Sequence, residues 1–140
     1  MKKKHDEHIE DWKGKYLRAL ADYQNLEKRT QSEKQEIRNY AAQGILTRLL
    51  PVLDTLTKAV QHVKDAGLEL ALKELYTALS EQGVEKIAVA GKPFDPHQME
   101  CIEVVAGKDN IVVEELLPGY RLHNKILRVA QVKVGKTLVS

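Results

Sequence analysis

The sequence holds one cysteine, one tryptophan and one phenylalanine in 140 residues. A lone Cys101 can form no internal disulfide, which points to a reducing cytosol. With five tyrosines as the only other aromatics, few bulky side chains are available to fill a wide core. An elongated or oligomeric shape is therefore expected. No apolar run approaches the ~20 residues that span a bilayer. The start is basic like that of a signal peptide, but His5-Asp6-Glu7-His8 stands where an apolar stretch would follow. An excess of one charge is missing too. The 22 Lys plus Arg and 20 Asp plus Glu leave a net charge of +2, spread evenly, which argues against a polybasic nucleic-acid binder. A soluble cytoplasmic protein is expected, with no membrane or nucleic-acid partner.

Glycine and proline are absent between Gly14 and Gly44, and the first proline is Pro51. Leu, Ala, Lys, Glu, Gln and Arg dominate this stretch, all good helix formers. Residues 1–50 are thus predicted as one long, coiled-coil-like helix. Apolar residues recur at heptad spacing in its first half: Ile9, Trp12, Tyr16, Tyr23 and Leu26. Residues 27–36 have no apolar side chain, and beyond Gly44 the stripe changes phase to Ile45, Leu46, Leu49, Leu50 and Leu53. A seam of this kind is best covered by a second copy of itself, so a homodimer is expected. The polar stretch 27–36 reads equally as a solvated face or as a docking surface.

Pro51 is expected to interrupt the helix, because it lacks an amide proton and crowds the preceding turn. Residues 51–83 then read as two short helices. One carries Leu53 and Leu56, and the other carries Leu72, Leu75 and Leu79, with Gly83 as a left-handed cap. Doubled in a dimer, they make a four-helix bundle. From residue 84 the period changes. Val84–Val89, Met99–Val105, Ile111–Leu117 and Lys125–Val134 are rich in β-branched residues and are separated by glycine, proline and asparagine. Residues 84–140 are predicted as a small all-β domain. The fold class is α+β.

Motifs for chemistry are scarce. No glycine-rich phosphate loop is present. His5 and His8 read as a solvated terminus rather than a metal site, His97 as part of a turn, and Cys101 as a small core residue. No catalytic residue, cofactor site or metal site is expected, and the chain does not read as an enzyme.

The most specific text lies in the last third. Phe94-Asp95-Pro96, Met99 and Ile102 are followed, after 16 residues, by Gly119-Tyr120 and then Leu127-Arg128, Ala130 and Val132. In the helical part, Asn25-Leu26 precedes Arg29-Thr30, and Leu49-Leu50-Pro51-Val52-Leu53-Asp54 precedes Leu56 and Ala59. Together these blocks, over about residues 12 to 136, resemble the GrpE family, nucleotide exchange factors of DnaK-type chaperones. The resemblance implies a homodimer with a paired long helix, a four-helix bundle and a β-wing domain on each subunit. It further implies a partner, the ATPase domain of a DnaK-type chaperone, and an activity, release of that domain's ADP. It makes Arg29 and Lys58 candidate chaperone contacts. Phe94 and Tyr120 are expected in the core of the β-domain, and Gly119 at a backbone angle that other residues avoid. Cys101, Asn124 and Glu27 depart from the family's commoner residues, and the last puts one charged contact of the long helix in doubt. No role tied to the acidic N-terminal tail of many members is carried over. A structural adaptor without exchange activity is the alternative.

Overall fold

The computed structural model describes residues 1–138, which fall into a first unit of residues 1–40 and a second beginning at Ala41. The first unit is a single helix, α1 (Lys2–Tyr40), roughly 58 Å long at ~1.5 Å per residue. Its side chains support one another at the surface, for example through the spaced pairs Asp11–Lys15 (3.3 Å), Arg29–Glu33 (3.7 Å) and Gln35–Asn39 (3.1 Å). None of its residues is buried; Trp12 is 62% and Tyr23 61% exposed. An unsupported helix is marginal in water. On heating, α1 is therefore expected to lose its helix before the second unit does, giving a separate low-temperature step in circular dichroism. One sharp transition for all helix would contradict this.

The second unit begins with two helices, α2 (Gln43–Val63) and α3 (Ala66–Glu81). The continuous helix expected for residues 1–50 is divided at Ala41 and Ala42, which form a turn. Pro51 does not interrupt a helix: it lies inside α2. Its ring removes one backbone bond at an exposed position, where water can take up the freed Thr47 carbonyl. The neighbouring Leu50 and Leu53 are buried, with Leu46 and Val60 on the same stripe, so packing outweighs the cost of the proline. Lys64 ends α2 in the left-handed region (φ 52°), and the Asp65 carboxylate accepts from the Leu68 amide at 3.2 Å to start α3. Gly83 follows α3 at φ 90°, the left-handed cap expected of it. A side chain there would also strike the imidazole of His123, with Cβ only 2.4 Å from Cε1.

Among the described residues the all-β part holds two three-stranded sheets. In the first, β1 (Val84–Lys86) pairs antiparallel with β4 (Tyr120–Leu122), which pairs with β5 (Lys125–Arg128). In the second, β6 (Ala130–Lys136) is central, parallel to β2 (Met99–Ala106) and antiparallel to β3 (Val112–Leu117). Ile87, Val89, Met99, Val112, Ala130, Val132 and Val134 form the core, with Phe94 packed against it. The single strand expected over Lys125–Val134 is two strands in different sheets, parted at Val129.

Gly119 sits at that crossing, but not for the expected reason. Its φ is not positive. Its Cα lies so close to the passing chain that a Cβ would be 2.6 Å from the Ala130 nitrogen and 3.0 Å from the Arg128 oxygen. Gly119→Ala forces backbone apart and is expected to destabilise the second unit by about 1–3 kcal/mol, read as a lower urea midpoint. Cys101 also departs from expectation. It is exposed, because β2 is an edge strand whose pairing slips between Cys101 and Glu103, and only Met99 of that strand is buried.

Candidate functional site

Three surfaces gather the residues that the sequence singles out. The first belongs to α1. Ile9, Trp12, Tyr16, Tyr23 and Leu26 are all exposed there, and Arg29 stands in the polar stretch, loosely paired at the surface with Glu33. Such a pair contributes little and leaves the guanidinium available to a better partner.

The second surface is an apolar cleft on α2 and α3, lined also by Val84 of β1. Leu53 is already buried by the chain itself, at 3% exposure. Leu49, Leu56 and Leu75 line the same cleft yet are 48%, 42% and 38% exposed, and Leu79 is half-buried beside them. Leu72, on α3, is half-buried as well. The helical stripes thus divide between a layer covered by this chain and a layer that it leaves open.

The third surface is a polar cleft where α2 and α3 meet the β-domain. Lys58, Gln61 and Thr57 of α2, Tyr76 of α3, Lys86 of β1 and Glu115 of β3 line it. The Lys86 ammonium lies 5.7 Å from the centre of the Tyr76 ring, which offers it a cation–π contact. Lys58 is exposed and has no ion pair among the described residues. Arg29 and Lys58, the two candidate contacts, thus stand on different units.

Beside this cleft, which Asp54 and Pro118 also line, two motif blocks meet. Asp54, from the helical block, and Arg128, from the β-domain block, form a two-pronged ion pair of 2.5 and 2.9 Å. Arg128 also donates to the Pro118 carbonyl from Nε and Nη2, at 3.1 and 2.7 Å. Its guanidinium lies 5.5 Å from the centre of the Tyr120 ring. Tyr120 is buried, and its hydroxyl is 3.4 Å from that of Tyr76, itself 3.2 Å from the Thr57 hydroxyl. Burial, and then the hydrogen bond to Tyr76, push the Tyr120 phenol well above the ordinary tyrosine range. A raised pKa means that the neutral phenol is the form the fold supports. Its contribution is full below the ordinary value of ~10 and is lost as pH rises toward the folded one. Tyr120→Phe is therefore expected to flatten the fall in stability at alkaline pH, measured as urea midpoints.

Sequence reasoning missed the Asp54–Arg128 pair, since 74 residues separate its members. Of the other motif residues, Asp95 accepts from the His97 amide (3.0 Å) in a turn opened by Phe94-Asp95-Pro96. Met99, Ala130 and Val132 are core. His5 and His8 lie exposed on α1, and no cluster of three or more potential metal ligands occurs among the described residues. No helix among them is long and apolar enough to cross a membrane.

Comparison with known proteins places these features in context. The family model described as GrpE matches residues 2–136. Protein GrpE of Parageobacillus thermoglucosidasius is 36% identical over 139 residues, covering 91% of this chain and 62% of the relative. Protein GrpE of Geobacillus kaustophilus is 37% identical over 139 residues, with 91% and 65% covered. Protein GrpE of Carboxydothermus hydrogenoformans is 40% identical over 131 residues, with 86% and 67% covered. The chain thus spans a little under two thirds of the length of the first two relatives.

Proposed function

The chain belongs to the GrpE family, and we propose that it is a co-chaperone: a homodimer that binds the ATPase domain of a DnaK-type chaperone and speeds release of its ADP. The observation that carries this reading is the family match across both units, from residue 2 to residue 136. The open apolar layer of α2 and α3 supports the dimer, because two copies facing each other bury Leu49, Leu56 and Leu75 in a four-helix bundle. The seam of α1 gains a partner in the same event. The lone Cys101 is in keeping with a reducing cytoplasm.

The proposed activity needs no catalytic residue. An ATPase domain grips ADP in a closed cleft and loses it from an open one. A protein that binds the open form more tightly weakens ADP by the same factor, through linkage. A hundredfold effect requires only ~2.7 kcal/mol of differential binding. Arg29 and Lys58 are the proposed contacts from the helices, and the β-domain is proposed to press on a second lobe.

Stopped-flow release of a fluorescent ADP analogue from a DnaK-type ATPase domain tests this. Saturating chain is expected to accelerate release about a hundredfold or more. Binding without acceleration would instead identify an adaptor, and absence of binding would end the reading.

A further inference from the structure

Arg128 uses four of its five N–H donors among the described residues. Three of its nitrogens serve two acceptors, the Asp54 carboxylate and the Pro118 carbonyl, and its plane lies near the Tyr120 ring. Both members of the ion pair are largely removed from water, at 19% and 15% side-chain exposure. A planar fork on a carboxylate fixes direction as well as distance, which a single point charge cannot do. The two ends of this bond belong to different layers. Asp54 is on α2, one turn before Lys58, whereas Arg128 closes β5 immediately before the chain crosses to the second sheet. The hydroxyls of Thr57, Tyr76 and Tyr120 run alongside and join α2, α3 and β4. Helices and β-domain are thereby tied at one polar joint, while the adjoining cleft stays open.

We infer that the Asp54–Arg128 pair is a positioning device for exchange: it sets the angle between the helices that carry Lys58 and the β-domain. The inference rests on the function proposed above and adds a requirement to it. A wedge discriminates an open cleft from a closed one only if its two contact surfaces keep a fixed separation. A loosened joint lets both surfaces follow the ATPase domain into either state, so the two states are bound nearly equally. Affinity then survives while the shift between states is lost, since a ligand with equal affinity for both shifts neither.

The test uses the full chain with Asp54→Asn, which keeps the shape of the side chain and removes its charge, and separately with Arg128→Gln. In the ADP-release assay, both are expected to lower the maximal acceleration about tenfold and to change the half-saturating concentration less than about threefold, a split that a general loss of folded protein would not produce. Arg128→Lys is expected to rescue little, because an ammonium cannot serve carboxylate and carbonyl as the fork does. A second readout needs no chaperone. Spin labels on the exposed Cys101 of β2 and on His62→Cys of α2, diluted with unlabelled chain, report the distance across the joint. A narrow distribution in the parent and a broad one in Asp54→Asn is the expected result. Parent-like width, or parent-like maximal acceleration, in Asp54→Asn would overturn the inference. If the parent itself does not accelerate release, the proposed function falls and takes the exchange role of the pair with it. The spin-label widths then still decide whether the joint is rigid, so the two failures are told apart.

Discussion

Replacing Leu49 and Leu56 together by aspartate is expected to weaken dimerisation by about a thousandfold or more while leaving each chain folded. The two leucines are about half exposed in the single chain, so a charge at either position meets water and costs the monomer little. In the proposed dimer they would become the centre of a bundle. Finishing the burial of a half-exposed leucine contributes about 1 kcal/mol. Four such side chains per dimer give about 4 kcal/mol, or roughly three decades in the dissociation constant. Four carboxylates in their place would add a desolvation cost. Native mass spectrometry over a dilution series reads the dimer fraction, and far-ultraviolet circular dichroism at high concentration checks the fold. The contrast with Leu53 sharpens the test. Leu53 is buried within the chain, so Leu53→Asp is expected to damage the second unit itself rather than its pairing. A dimer of unchanged affinity in the Leu49/Leu56 variant would place the interface elsewhere.

Charge reversal at Arg29 and Lys58 together, to glutamate, is expected to weaken binding of the ATPase domain by about a hundredfold. Contacts between desolvated charges at an interface cost a few kcal/mol when one member is lost, and reversal adds repulsion. Both side chains are exposed, and among the described residues the only ion pair either makes is that of Arg29 with Glu33, across 3.7 Å. Folding and dimerisation should therefore be nearly indifferent to the change. Isothermal titration gives the affinity, and sedimentation velocity shows whether the dimer persists. Unchanged exchange rates in the double variant would remove both residues from the contact surface.

The α+β division could be read from period and punctuation. A stretch with no glycine or proline between residues 14 and 44 becomes α1, and the turn to β-branched residues after Gly83 marks the sheets. The break at Ala41-Ala42 carried no local signal, because alanine is the best helix former; only the change of phase from Ile45 onward hinted at it. Pro51 misled for the opposite reason. Its intrinsic cost is real, but the burial of Leu50 and Leu53 on the far side of the helix outweighs it. Strand β4 has three residues, too few for an alternating pattern to register. The crossing at Val129 is silent as well, since a β-branched residue there reads as continued strand. Gly119 stands out in sequence, yet its cause is the passing backbone of Arg128 and Ala130, a fact of tertiary structure. The same holds for the joint. Asp54 and Arg128 were visible only as members of separate motifs, and no spacing rule connects a helix to a strand 74 residues away.

The proposed exchange requires two copies of this chain acting as one body. Sedimentation equilibrium of the unmodified chain at micromolar concentration measures that directly. A mass twice the 15.9 kDa of one chain is predicted. Single chains that nevertheless eject ADP from the ATPase domain at full rate would contradict it.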